Sequence, residues 1–186
     1  MQMLYIPGLA MLRGSLDSVN EDQLPHTPLW LPSALPAKIT CDHRLYAFEW
    51  DLRSAQADDA LSELRQNLQL RSYLFKYKDR FATGQKANTR ANASIARVQR
   101  NIKASTNRYR IARHALLSLA ILLKKDSTSL PELQDEDVRG MTVGEGVETE
   151  GRRLLSWIWR RGGDMGTDDE NLHECMYLTF ETSVRH

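Results

Sequence analysis

The chain has 186 residues, 41% of them hydrophobic, and its 25 Lys and Arg nearly cancel 24 Asp and Glu, leaving a formal net charge of +1. That length is one domain's worth of material, and a mean hydropathy of −0.49 sits toward the polar edge of globular proteins, which excludes a chain that is apolar throughout. Cys41 and Cys175 are the only cysteines, too few for a disulfide framework, so a reducing, intracellular setting is expected.

Charge is unevenly placed. Residues 1–63 hold 4 basic and 9 acidic side chains, residues 64–114 hold 13 and 1, and residues 131–186 hold 6 and 13. A basic middle between acidic ends can attract a polyanion, and it can equally fold its own ends onto itself.

Residues 1–41 read as an irregular, proline-rich segment. The start, "MQMLYIPGLAMLRG", has no positive charge ahead of its apolar patch and is broken by Pro7 and Gly8, so no signal peptide is expected. Pro25, Pro28, Pro32 and Pro36 each remove a donor and restrict the preceding residue. The segment is either an extended stretch that lays Leu29, Trp30 and Leu31 against a surface or a free linker.

Asp42 suits the N-cap of a helix starting near His43, and residues 42–126 read as one long helical region. Leu45, Phe48, Leu52 and Ala55 mark one apolar stripe; Leu61, Leu64 and Leu68 mark a second. From Leu70 the spacing alternates four and three through Leu74, Tyr77, Phe81, Gly84, Asn88, Ala91, Ile95, Val98, Ile102, Ser105, Tyr109, Ala112, Leu116, Leu119 and Leu123. A face recurring every 3.5 residues is a coiled-coil pattern. Gly84, Asn88 and Ser105 are its weak layers. Because "TGQK" supplies one glycine for a turn, the expectation is a continuous or kinked helix, with a hairpin at Gly84 as the alternative. Packing of the stripe on ordinary neighbours within a bundle is a further alternative. The stretch "ALLSLAILL", residues 115–123, is too short for a membrane span, which needs roughly 20 residues.

Residues 127–148 read as an acidic loop, residues 149–161 as a short helix capped by Thr149, and residues 162–186 as a tail with little order signal. Leu154, Leu155, Trp157, Ile158 and Trp159 crowd this short helix too closely for one narrow stripe. It is therefore docked on more than one side, or its apolar side awaits a partner. The predicted fold class is all-α: a long or kinked amphipathic helix with coiled-coil-like heptads, a short C-terminal helix and irregular ends.

No catalytic, cofactor or metal residues are assigned. "HEC" at 173–175 lacks the second histidine of a zinc-protease motif, since Tyr177 stands there. "DMGTDDENLHE" fails calcium-loop spacing, and "GEG" at 144–146 lacks a phosphate loop's Lys-Ser/Thr. Asp135, Glu136 and Asp137 are adjacent and so point in different directions. "NAS" at 92–94 matches the glycosylation tripeptide but falls within the helical region.

The basic middle supplies candidate phosphate contacts: Lys76, Lys78, Arg80, Lys86, Arg90, Arg97 and Arg100. Lys86, Arg90, Arg97 and Arg100, spaced four, seven and three apart, share one helix face over about 21 Å. Lys78, Arg80, Arg108 and Arg113 flank the stripe, where they can snorkel over an apolar seam. Tyr73, Tyr77 and Phe81 lie near the stripe rather than among the outward cations, so stacking on single strands is not expected. The candidate association residues are Leu70, Leu74, Tyr77, Phe81, Ile95, Val98, Ile102, Tyr109, Leu116, Leu119 and Leu123.

Three stretches together resemble a known family: "AFEWDLRSAQADDALSELRQNLQLRSYLFKYKDRFATGQKANTRANASIARVQRNI", "LPELQDEDVRGM" and "EGRRLLSWIWRRGG". They are similar to the region downstream of the catalytic domain in fungal transposases of the Kyakuja-Dileera-Zisupton (KDZ) class, from about Tyr46 to Glu174. The resemblance implies a non-catalytic helical fragment of a transposable-element protein, with a nuclear location. Family members join a cysteine-rich cluster to a ribonuclease-H-type domain that cuts DNA with acidic residues and divalent metal. Neither stands in this chain, so Asp135, Glu136, Asp137, Asp168 and Asp169 receive no catalytic role from it. The ending "CMYLTFETSVRH" departs from the family, as a truncated or altered reading frame would.

The expected function is protein association, as a homo-oligomer or with a transposase-related protein. The alternative is weak, sequence-tolerant DNA binding by the basic helix. Metal-dependent nuclease or transposase activity would need acids from both ends to converge. No cofactor, small-molecule substrate or membrane partner is expected.

Overall fold

The computed structural model describes residues 6, 30–36, 39, 41–126, 130–140 and 156–160. Among these the fold is all-α, with helices α1 (His43–Phe81), α2 (Gln85–Leu123) and α3 (Trp157–Arg160), 3-10 turns at Pro32–Ala34 and Asp135–Asp137, and no strand. Packing divides the chain into a first unit of residues 1–57 with 111–131 and a second of residues 58–110 with 132–186.

The long helix expected over 43–124 is two helices. The Asp42 carboxylate accepts the Arg44 N–H at 2.9 Å, starting α1 as the sequence predicted. After Phe81 the chain turns through Ala82, Thr83 and Gly84, the last at φ +84°. A side chain strains that left-handed backbone, whereas glycine adopts it freely. The Asn88 amide then donates to the Ala82 and Gly84 carbonyls at 3.3 and 3.0 Å, while its backbone N–H reaches the Gly84 carbonyl. One glycine suffices because Asn88, a weak layer of the heptad, satisfies the carbonyls that the turn leaves open.

In the first unit, residues 30–36 of the proline-rich segment are docked rather than free. Buried Glu49 accepts the Ser33 backbone N–H at 2.7 Å and the Ser33 hydroxyl at 2.5 Å, with Arg53 Nε at 3.4 Å on the same carboxylate. Trp30 and Leu31 are half-buried; Leu29 lies outside the described residues. Lys125 Nζ sits 5.0 Å above the Trp50 ring, and Arg113 Nε donates to the Leu130 carbonyl at 3.0 Å. The core side of α2 presents Ala112, Ala115, Leu116, Leu119 and Ala120. Near the start of α1, the Cys41 N–H donates to the Tyr46 hydroxyl at 3.4 Å. The hydrogen bond with the Cys41 side chain, followed by burial, raises the Tyr46 pKa.

The stripe of Leu45, Phe48, Leu52 and Ala55 does not form this core. Phe48 is 64% and Leu52 71% exposed, while Leu64 and Leu68 are fully buried. Leu61, Leu64 and Leu68 are covered within the second unit, whereas Phe48 and Leu52 of the first unit are not.

The second unit is a helical hairpin. Its antiparallel direction follows from Glu63 pairing with Arg108 at 2.6 Å and Arg71 donating to Gln99 at 3.0 Å. Ala60, Leu61, Leu64 and Leu68 of α1 and Val98, Ile102, Ser105 and Tyr109 of α2 are buried. The Ser105 hydroxyl donates back to the Asn101 and Ile102 carbonyls, so this weak layer is a small, satisfied residue rather than a gap. Residues 132–140 and 156–160 pack against these helices. Arg110 donates to the Leu133 carbonyl from Nε and Nη2 at 3.1 and 2.9 Å and to Asp135 at 2.6 Å. Gly140 passes so near that a Cβ would lie 2.9 Å from Ser72 Oγ. Ile158 and Trp159 are buried, Trp157 lies against Tyr109 at 5.9 Å between centroids, and Arg65 Nε holds the Ile158 carbonyl at 2.7 Å. Of the short helix predicted over 149–161, Trp157–Arg160 is helical as α3 and Ser156 is not; residues 149–155 and Arg161 lie outside the described residues.

Candidate nucleic-acid interface

Thirteen basic residues crowd 64–114, and the structure sorts them into two groups. Arg65, Arg71, Arg108, Arg110 and Arg113 are engaged with carbonyls, Gln99 or carboxylates. Lys76, Lys78, Arg80, Lys86, Arg90, Arg97, Arg100 and Lys103 make no ion pair or hydrogen bond among the described residues. All are exposed except half-buried Lys78. Every one of the seven candidate phosphate contacts therefore falls in the second group, and all seven lie in the second unit. Of the residues expected to snorkel, Arg108 and Arg113 instead make specific bonds.

The local sequence explains the charge placement. Lys78 and Arg80 occupy the last turn of α1, where cations meet the negative end of the helix dipole. The first turn of α2 holds no acid and carries Lys86, so a cation stands at the positive end of the helix dipole. That arrangement gives folding nothing, and it raises the local positive potential. Lys86, Arg90, Arg97 and Arg100 continue along the exposed side of α2 over about 21 Å. Lys103, absent from the candidate set, adds about one further turn; its three-residue spacing from Arg100 was the available signal.

The apolar candidates divide differently. Val98, Ile102, Tyr109, Leu116 and Leu119 are buried within the chain; Leu70, Leu74, Tyr77, Ile95 and Leu123 are half-buried. Phe81 is 64% exposed. Of the aromatics expected near the stripe, Tyr77 is half-buried while Tyr73 and Phe81 are exposed. Tyr73, Phe75 and Phe81 all reach solvent on the helix segment that carries Lys76, Lys78 and Arg80, and the Tyr77 and Phe81 rings touch at 5.4 Å between centroids. With Ala87 and Ala91 on the facing helix, the turn end has too little apolar bulk to cover them.

The acidic run is partly structural: Asp135 holds Arg110, and Asp137 accepts the Gln134 N–H and the Ser156 hydroxyl. Among the described residues no group of three or more His, Cys, Asp or Glu is gathered for a metal, and no helix is long and apolar enough to cross a membrane. The "HEC" and "GEG" motifs, Cys175, Asp168 and Asp169 lie outside the described residues. Comparison with known proteins gives no match to a family model, a curated protein or a solved structure.

Proposed function

We propose that the turn end of the second unit binds nucleic-acid phosphate, and that the chain works by binding rather than by chemistry. One observation carries this reading: the arginines that hold the fold are spent on carbonyls and carboxylates, while eight other cations of the same unit have no partner among the described residues. Unpaired like charges repel one another, so the arrangement weakens the fold and is relieved by a polyanion. Contacts to phosphate position a protein without reading sequence, so binding is sequence-tolerant. The kinship with KDZ transposase tails agrees with a DNA ligand and belongs to this proposal.

The test is a DNA titration at about 50 and 200 mM salt. Four phosphate contacts give a log–log slope of about −4 on duplex, or roughly a hundredfold loss of affinity across that range. Replacing Lys86, Arg90, Arg97 and Arg100 together by Ala flattens the slope; an unchanged slope refutes the assignment. Specific nicking of supercoiled DNA in magnesium or manganese, above the level of that quadruple variant, refutes the non-catalytic reading.

We read the four-three spacing as a seam used within the chain. The burial of Val98, Ile102, Ser105 and Tyr109 in one unit and of Ala112, Leu116 and Leu119 in the other supports that reading. Protein association then falls to the uncovered surface of the first unit, where exposed Phe48 and Leu52 stand one turn apart. The partner expected is a second copy. Sedimentation at tens of micromolar tests it: Leu52→Asp abolishes a dimer formed this way, and a monomeric wild type removes the reading.

A further inference from the structure

We infer that the phosphate-binding end of the second unit prefers single-stranded over duplex nucleic acid, with Phe81 as a stacking platform for an unpaired base. The inference rests on the phosphate reading above and adds a ligand class to it. Its starting point is the 2.6 Å pair of Glu63 and Arg108, which joins α1 and α2 on one side of the hairpin. Phe81 lies eighteen residues beyond Glu63, and Arg90 lies eighteen residues before Arg108. Eighteen residues are five α-helical turns, so both side chains return to that same side, now at the turn end. Lys86 and Arg97, four before and seven after Arg90, belong to the same row, and Tyr77, four before Phe81, belongs to the ring's row.

One side of the hairpin end thus carries a ladder of cations on α2 beside an aromatic ridge on α1. Phe81 is 64% exposed and is steadied by its contact with Tyr77. A duplex can use the cations but offers no free base face to the ring, because its bases are already stacked on one another. An unpaired strand uses both: its backbone follows the cations while a base lies on Phe81. A lipid surface fits less well. The residues next to Phe81 at the turn are Ala82, Thr83, Gly84 and Gln85, which add no bulky apolar group to bury in a bilayer.

The test uses the full chain at low salt, with fluorescence anisotropy on labelled oligothymidylate of about 20 nucleotides, an oligouridylate and a mixed-sequence duplex of the same length. Wild type binds the single strands several-fold more tightly than the duplex. Phe81→Ala lowers single-strand affinity about tenfold and duplex affinity less than twofold, and Phe81→Tyr, which keeps a ring, restores it. Circular dichroism verifies that each variant keeps its helices, as expected at an exposed helix end. Equal loss on both DNA forms, or no loss on either while the salt-dependent duplex binding persists, overturns the stacking inference and leaves the phosphate reading standing. Absence of binding to all three probes overturns both. A Phe81→Ala effect seen on phosphatidylserine vesicles and not on oligonucleotides overturns it in favour of a membrane surface. Thymidylate against uridylate separates a DNA from an RNA ligand, and either supports the inference.

Discussion

Leu64→Ala and Leu52→Ala remove the same isopropyl group from the same helix, twelve residues apart, and are expected to differ several-fold in consequence. Leu64 is 0% exposed between the helices of the second unit, whereas Leu52 is 71% exposed. Truncating Leu64 loses the transfer free energy of three buried carbons and leaves a cavity, together about 2–5 kcal/mol. Truncating Leu52 removes surface that water already covers, and alanine is the better helix former, so its effect lies within about 0.5 kcal/mol. Urea unfolding followed by the 222 nm helical signal measures both differences, with equal m-values required for the comparison. A domain of this kind is stable by roughly 5–15 kcal/mol, so Leu64→Ala can unfold a marginal chain. Leu64→Val keeps the measurement readable, with a smaller loss of about 1 kcal/mol. Equal losses at the two positions, or a larger loss at Leu52, refute the assignment of the covered face of α1. A larger loss at Leu52 that depends on protein concentration places the association surface there.

Gly84→Ala meets no neighbouring atom within 4 Å, so its cost is the left-handed backbone alone, about 1–2 kcal/mol, with Gly84→Asn losing less; the urea midpoint reads both, and no loss means the turn relaxes. A double-mutant cycle on Ser33→Ala and Glu49→Ala gives a coupling of about 1–3 kcal/mol if the proline-rich segment is tied to the buried carboxylate, and additive losses disprove that tie. Arg110→Ala costs about 1–3 kcal/mol by leaving the Leu133 carbonyl without its two donors, whereas Asp135→Asn, at a side chain 89% exposed, stays within about 1 kcal/mol; similar losses make the ion pair the dominant part. Far-ultraviolet circular dichroism gives more than two fifths helix, because two 39-residue helices lie in a chain of 186, and a markedly lower value contradicts the fold.

The amino-acid sequence by itself determined what is local and periodic. The proline-free stretch, the Asp42 cap and the four-three spacing specify helix, because each acts within one or two turns of the backbone. The covered stripe of α2 was legible for the same reason, as was the excess of basic residues over 64–114. Tertiary structure decided which of two apolar stripes on α1 is covered, since Leu52 and Leu64 are chemically alike and only a partner surface tells them apart. It decided the turn, where Asn88 must fold back four and six residues to complete what Gly84 begins. It also separated thirteen similar basic side chains into five that hold the fold and eight without partners among the described residues. That sorting depends on carbonyls and carboxylates brought from 17 to 93 residues away, distances at which residue spacing carries no information.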